Sequence, residues 1–207
     1  MKTIQIEEVQ KSEVPAAPGI AFAGGFFVGQ VNVNGDIYAL IVAPKDQGEF
    51  DSTWGEYGEK INGANWVADG LRNTEVMAAA GLAIATQAQD LKINEKSDWY
   101  IPARDELEII YRNLKPSTRE NWCSWRDGDN PSAVPPSSEY TEDNPGRTAV
   151  QAFQEDGSEA MDPVWYWTST QVSAYYAAVQ FFSYGVQDND GKDDELRVRV
   201  VRRLRIV

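Results

Sequence analysis

The chain has 207 residues, no histidine, one cysteine and a formal net charge of −13, from 19 basic and 32 acidic residues. The lack of histidine excludes His-ligated metal sites, His general bases and Ser-His-Asp triads, and one cysteine excludes an internal disulfide. The acidic balance argues against nucleic acid and against an anionic membrane surface as partners. Because no histidine is present to activate it, Cys123 is expected to be a small buried hydrophobic residue. Because no disulfide can form, the protein is expected to be made in a reducing cytoplasm.

The N-terminal segment is polar, and its first residues, MKTIQIEEVQKSE, lack the apolar core of a signal peptide. The sequence VPAAP disfavours helix, so residues 1–18 are predicted to form an extended arm, either loose or ordered against another subunit. No apolar run approaches the ~20 residues of a membrane helix, so no membrane insertion is expected.

A β-hairpin is predicted in the next region, residues 19–64. Two apolar segments flank Asn34 and Gly35, and both residues tolerate positive φ in a two-residue turn. The stretch after the hairpin has the composition of a loop, which Trp54 and Tyr57 are expected to pin onto the core.

Two helices are predicted in the middle of the chain. For the first, Asn73 or Thr74 supplies the N-cap, and apolar residues recur at helical spacing as far as Leu91. The second begins at Pro102, because proline favours the first position of a helix. The buried face of the second helix is expected to hold Leu107, Ile110, Tyr111 and Leu114.

The C-terminal segment from Pro163 onward is predicted to form two or three antiparallel strands joined by tight turns. Residues 188–191 have the composition of a polar turn, and Trp167 is expected to lie in the core. Residues 196–200 alternate apolar and basic side chains, which is typical of a strand with one buried and one solvent-facing side. We expect the basic residues of this end to form ion pairs within the chain. They are Arg197, Arg199, Arg202, Arg203 and Arg205.

Several of these motifs follow one another in the order of a known family. The run SDWYIPARDELEIIYRNL, then YWTSTQ, an aromatic strand, a Lys/Asp/Asn turn and RVRVVRRL resembles the Lcl C-terminal-type domain family of phage and prophage proteins. The resemblance implies a C-type lectin-like fold for residues 65–207. The expected fold class is therefore α+β, with two helices packed on twisted antiparallel sheets, an N-terminal β-hairpin and an extended arm.

The C-terminal segment is also distantly similar to the variable region of retroelement-diversified phage receptor-binding proteins. In that family, strands and loops of the lectin fold carry exposed, variable side chains. The similarity implies a ligand-binding display surface on this segment. Its candidate exposed residues are Ser173, Tyr175, Tyr176, Gln180, Ser183, Tyr184, Gln187, Asp188, Asn189 and Lys192.

Neither a cofactor nor an enzymatic activity is expected. Asp188 and Asp190 offer oxygen ligands, but the spacing completes no EF-hand loop, so a calcium ion at this pair is left open. No pair of carboxylates is singled out for glycoside hydrolysis by its spacing, and Cys123 alone does not supply the cysteine chemistry of formylglycine-generating enzymes.

The resemblance implies a bacteriophage virion protein, associated with the tail or the capsid, that attaches to a glycan or protein on the host surface. The alternative is a purely structural or decoration protein of the virion with no receptor. Other virion proteins and further copies of the same chain are the expected partners. A bacterial surface adhesin is a third interpretation, which the lack of a signal peptide weakens.

Overall fold

Two β-sheets form the frame of the computed structural model, which describes residues 6–122 and 128–207. The described part is α+β, so the expected fold class is confirmed at that level, while its C-type lectin-like identity stays a prediction. Cys123, expected to be buried, lies outside the described residues. No helix in the described ranges has the length and apolar character that crossing a membrane requires.

The described residues hold eleven strands and four α-helices. The strands are β1 (Glu8–Val9), β2 (Ala21–Phe22), β3 (Gly25–Val33), β4 (Asp36–Val42), β5 (Glu49–Thr53), β6 (Ala133–Val134), β7 (Trp165–Gln171), β8 (Tyr176–Phe181), β9 (Gln187–Gly191), β10 (Glu195–Arg199) and β11 (Val201–Ile206). The helices are α1 (Lys45–Gly48), α2 (Gly70–Ala79), α3 (Ala83–Asp90) and α4 (Arg104–Leu114).

The two sheets are mixed rather than wholly antiparallel. The first sheet has the order β1-β11-β4-β3-β2, with β6 added to β3, and the second has the order β5-β10-β7-β8-β9. β1 pairs with β11 in parallel, and β10 pairs with β7 in parallel, which corrects the expected antiparallel arrangement. Since β10 and β11 follow each other in the chain but lie in different sheets, this C-terminal pair connects the two sheets.

The predicted hairpin is confirmed. Val33 pairs with Asp36 across the turn, and Asn34 and Gly35 have φ values of 55° and 99°, as a two-residue hairpin turn requires. Within the segment predicted as an extended arm, β1 adds a short strand to the edge of the first sheet beside β11.

The stretch predicted as a loop after the hairpin contains α1 and β5, an edge strand that pairs antiparallel with β10. Apolar and polar residues alternate only weakly in β5. Its polar side chains are typical of edge strands that avoid pairing with another chain. Trp54 is fully buried and pins the end of β5, as expected. Tyr57 is 53% exposed, so its predicted role as a second pin is wrong.

The first predicted helix is two helices, α2 and α3. Gly81 separates them at a φ of +85°, in the left-handed region where helices end. The N-cap of α2 is Asp69, whose carboxylate accepts a hydrogen bond from the Arg72 amide at 3.2 Å. Asn73, a predicted cap, is instead buried and exchanges hydrogen bonds with the backbone of Trp66.

The second predicted helix is α4, and the four residues predicted for its inner face are all buried. Its first turn is joined to α2 through Glu106, a fully buried carboxylate. Glu106 Oε2 accepts hydrogen bonds from the Ala103 amide at 2.8 Å and the Gly70 amide at 3.1 Å. Burial raises the pKa of Glu106 to about 7, because little water remains to stabilise its charge.

The polar residues 188–191, predicted as a turn, belong to β9. β9 lies at the edge of the second sheet, where charged side chains discourage pairing with another chain. Trp167, on β7, is fully buried as expected, and its indole donates a hydrogen bond to the Ser52 carbonyl at 3.0 Å. That hydrogen bond links β7 directly to β5.

All five C-terminal arginines form ion pairs within the chain, as predicted. Arg199 is fully buried and contacts Glu159 at 2.7 Å. Arg202 is also fully buried and contacts Asp98 at 2.8 Å. The basic side of β10 was expected to face solvent, and Arg199 corrects this, because the segment carrying Glu159 covers it. Further pairs are Arg197 with Glu49, Asp51 and Asp162, Arg202 with Glu7, Arg203 with Asp69 and Glu106, and Arg205 with Glu8 and Asp36.

We expect Glu159→Gln to lower the free energy of unfolding by about 3 kcal/mol, because it leaves the buried Arg199 without its nearest counter-charge. Glu49, 3.8 Å from Arg199, keeps the loss at the low end of the range for a broken buried pair. Glu8→Gln is the matched control, since the Glu8–Arg205 pair is about half exposed and contributes less than about 1 kcal/mol. If urea unfolding shows equal losses of free energy for Glu159→Gln and Glu8→Gln, the Arg199–Glu159 pair is not the more stabilising of the two.

Candidate functional site

Four exposed apolar or aromatic residues meet at one end of the second sheet. We call this surface the tyrosine patch, and it consists of Tyr57, Val172, Tyr175 and Tyr176, with exposed fractions of 53%, 53%, 48% and 44%. The ring centres of Tyr57 and Tyr175 lie 5.0 Å apart, and those of Tyr57 and Tyr176 lie 6.3 Å apart. The patch is therefore one contiguous aromatic surface built from two distant segments.

Backbone hydrogen bonds fix the two segments of the tyrosine patch. The Ser173 hydroxyl accepts from the amides of Tyr175 at 3.0 Å and Tyr176 at 3.1 Å, which closes the turn before β8. The Gly58 amide donates to the Ala174 carbonyl at 3.1 Å. Gly58 has a φ of +92°, so glycine suits the bend that brings Tyr57 beside this turn.

The buried side chain of Lys192 holds the loop that carries Tyr57. Lys192 Nζ donates to the Glu59 carbonyl at 2.6 Å and to Gln171 Oε1 at 2.7 Å, and it lies 4.5 Å from the centre of a Trp54 ring. Gln171 in turn exchanges two hydrogen bonds with the backbone of Ile61. The loop is thus held by hydrogen bonds at Gly58, Glu59 and Ile61.

Carboxylates border the tyrosine patch. The pKa of Tyr57 is raised, first by its hydrogen bond with Tyr176 and further by the nearby charge of Asp193. The pKa of Asp190 is raised by partial burial and by a hydrogen bond with Asp194. The shift at Tyr57 reflects an Asp193 carboxylate near its ring, whereas the raised pKa of Asp190 disfavours the charged form of that carboxyl group.

A second surface, which we call the tryptophan cleft, lies by the start of β7 and the end of β8. It is a cleft of about 390 Å³ lined by Asp51, Pro163, Val164, Trp165, Phe181, Glu195, Leu196 and Arg197. Trp165 and Phe181 have ring centres 5.0 Å apart. Aromatic contact continues from Phe181 to Tyr184, which stacks on Trp122 at 4.8 Å. Trp122 is 56% exposed, so this apolar row reaches solvent.

The display surface predicted from sequence is only partly exposed. Its exposed members are Tyr175, Tyr176, Asp188 and Asn189, and its half-buried members are Ser173 and Tyr184. Four members were expected to be exposed and are buried, which corrects the prediction: Gln180, Ser183, Gln187 and Lys192.

The four buried residues are turned inward because their polar groups bind neighbouring parts of the fold. Gln180 Nε2 donates to the Gly185 carbonyl at 3.2 Å, and Gln187 Nε2 donates to the Arg104 carbonyl at 3.3 Å. The Ser183 hydroxyl accepts from Arg119 at 3.2 Å. Together with the Lys192 contacts above, these bonds give the four side chains structural roles.

Sequence reasoning missed Tyr57, Val172 and Trp122. A signal was present for Tyr57, because its neighbours Glu56, Gly58 and Glu59 are residues of an exposed turn. Its proximity to Tyr175 is a long-range contact, which local patterns do not encode. Within residues 6–122 and 128–207, no three or more Asp, Glu, His or Cys side chains are grouped as a metal site.

Comparisons with known proteins identify no relative by sequence: no protein-family model and no curated protein matches the chain. Among solved structures, a fimbrial protein from Bacteroides ovatus ATCC 8483 is similar over 96% of this chain, with a TM-score of 0.44 and 11% identity. This chain spans 48% of the length of that fimbrial chain. A similarity this weak supports no argument about fold family or function.

A pH series tests the Lys192 anchor. Burial lowers the pKa of Lys192 from 10.5 to about 8. Between these two values the unfolded chain holds a proton at this lysine that the folded chain lacks, so its contribution to the free energy of unfolding rises with pH. We expect the difference in free energy of unfolding between wild type and Lys192→Met to rise above about pH 8 and to be constant below it.

Urea unfolding at a series of pH values measures this difference. Lys60→Met, which removes an exposed lysine from the same loop, controls for the loss of one positive charge. Parallel stability curves for wild type and Lys192→Met through the whole window would contradict the lowered pKa and the desolvation of the Lys192 ammonium in the folded chain.

Proposed function

We propose that this protein is a bacteriophage virion protein, associated with the tail or the capsid, that attaches to a glycan or protein on the host surface through the tyrosine patch. The phage setting and the C-type lectin-like domain rest on the sequence resemblance. The attachment role rests on one observation, the contiguous cluster of three tyrosines that are 44–53% exposed. Other virion proteins and further copies of the chain are its proposed partners.

The physical case for recognition is that the tyrosine patch is apolar, exposed and already ordered. A tyrosine offers a large apolar face with a polar tip, which suits contact with a sugar ring or a protein. Ordering one flexible side chain on binding costs roughly 0.5–1.5 kcal/mol. The ring contacts and the fixed turn at Ser173 remove part of that cost before any ligand arrives. The patch presents ordered contact area, so the proposed activity is binding.

The alternative is a structural or decoration protein of the virion, and the tryptophan cleft favours it. Val164 in the cleft lining is 38% exposed, and Trp122, at the end of the aromatic row that leaves the cleft, is 56% exposed. Exposed tryptophan is common where one protein packs against another. In this alternative the cleft contacts a neighbouring virion subunit, and the tyrosine patch has no receptor.

Binding to host cells separates the two functions. Purified protein in its native oligomeric state is incubated with candidate host cells, and both saturable binding and inhibition of phage adsorption are measured. We expect Tyr57→Ala and Tyr175→Ala each to weaken binding at least about tenfold, with little change in thermal unfolding, because exposed rings contribute little to the core. Tyr184→Ala is the matched control at the other end of the sheet.

Loss of binding in Tyr184→Ala but not in the patch variants would move the receptor site to the tryptophan cleft. No binding by folded wild-type protein to any host that its phage infects would favour the structural role. A large fall in melting temperature for Tyr175→Ala would count against a display role for that residue.

A further inference from the structure

The charge around the tyrosine patch restricts its ligand. Residues 55–60 and 190–194 border the patch and carry five acidic residues and two lysines, a local net charge of −3. Of the two lysines, Lys192 is buried with its ammonium bound to Glu59 and Gln171. The five acidic residues, of which all but Asp190 are exposed, are Glu56, Glu59, Asp190, Asp193 and Asp194.

Two of these carboxylates are held close to the rings. Asp193 and Asp194 fold back over Gly191, where a Cβ would lie 2.9 Å from an oxygen of Asp194 and 3.2 Å from one of Asp193. Gly191 pairs with Tyr176 in the sheet, and the Lys192 amide donates to the Tyr175 carbonyl at 3.0 Å. The acidic turn is therefore anchored directly beside two of the tyrosines.

This setting disfavours an anionic ligand. Sulfated, phosphorylated or sialylated glycans are recognised through exposed arginine or lysine clusters, and the patch border is net acidic. The faces of tyrosine rings, in contrast, attract cations, by about 0.5–1 kcal/mol at exposed sites. The carboxylates therefore suit a positively charged group of the ligand, and the tyrosine rings suit an apolar face next to that group.

The size of the patch favours a sugar over a protein. A stable protein interface buries about 800 Å² on each partner, or roughly 20–30 residues a side. The tyrosine patch has four residues, and its rings lie 5.0–6.5 Å from one another, an area suited to one or two sugar rings.

We propose that the tyrosine patch binds a glycan with free amino groups, stacking an amino sugar on Tyr57 and Tyr175 with its ammonium group beside Asp193. This proposal rests on the attachment function proposed above and specifies the ligand class of the same site.

Two oligosaccharides that differ in one chemical group test the proposal. Glucosamine oligomers and N-acetylglucosamine oligomers of equal length are titrated into the full-length protein at about pH 6, where amino groups are protonated. We expect the glucosamine oligomer to bind at least about tenfold more tightly, with an advantage that shrinks as salt is raised. A lysine peptide of matched charge is the third ligand, and it should bind weakly because it has no ring to stack.

Variants assign the interaction to the patch. Tyr175→Ala should weaken binding of both oligomers, because each loses the stacking face. Asp193→Asn should weaken binding of the glucosamine oligomer alone, by roughly threefold, since only that ligand carries charge. Asp156→Asn, a charge-matched control at an exposed turn outside the patch, should leave both affinities unchanged.

The possible results separate this proposal from the attachment function. Equal affinity for the two oligomers, or binding unaffected by Tyr175→Ala, would overturn the amino-sugar assignment. So would binding of the lysine peptide as tight as that of the glucosamine oligomer. If neither oligomer binds but the protein still binds host cells and blocks adsorption, the ligand class is wrong and the attachment function stands. Oligomer binding without any host binding would support the patch and overturn attachment.

Discussion

Buried ion pairs between the C-terminal arginines and carboxylates from distant segments are the interaction on which the rest of the structure depends. Arg199 and Arg202 lie on β10 and β11, the two successive strands that belong to different sheets. A buried guanidinium is tolerated only when it is paired, because an unpaired charge loses several kcal/mol of hydration. The partner segments, which carry Glu159 and Asp98, are therefore held against the sheets. Some of the excess acidic residues of the chain are therefore partners of buried arginines inside the fold.

The two β-sheets determine where the tyrosine patch can form. A short turn connects β9, an edge strand of the second sheet, to β10, and Lys192 in that turn holds the loop that carries Tyr57. The turn that carries Tyr175 and Tyr176 leads directly into β8. The Tyr57 loop follows β5, and its hydrogen bonds to Ala174 and Lys192 bring the rings into contact. Such a patch is preordered for binding.

Local signals in the sequence predicted local features well. Asn34 and Gly35 specify a tight turn by their tolerance of positive φ, and the spacing of Leu107 and Ile110 specifies the inner face of α4. The ion pairing of the arginines was predicted from charge balance alone. These features depend on residues close in sequence or on composition, which a single sequence displays directly.

The features that sequence did not predict depend on tertiary contacts. The polar strands β5 and β9 have no alternating pattern because they lie at sheet edges, so they resembled loops. Lys192 and Gln180 were expected to be exposed because the resemblance placed them on the display surface, but hydrogen bonds within the fold make their burial tolerable. Tyr57 became part of the candidate site only through its contact with Tyr175, more than a hundred positions away. The tyrosine patch thus shares Tyr175 and Tyr176 with the residues predicted from sequence, and Tyr57 and Val172 come from the structure.

Hydrogen–deuterium exchange of the protein alone and bound to purified host envelope locates the bound surface without any substitution. If the tyrosine patch is the receptor site, exchange slows in residues 55–60 and 172–176 and does not change around the tryptophan cleft. Protection in residues 163–165 and 181–184, with none at the tyrosine patch, would contradict it.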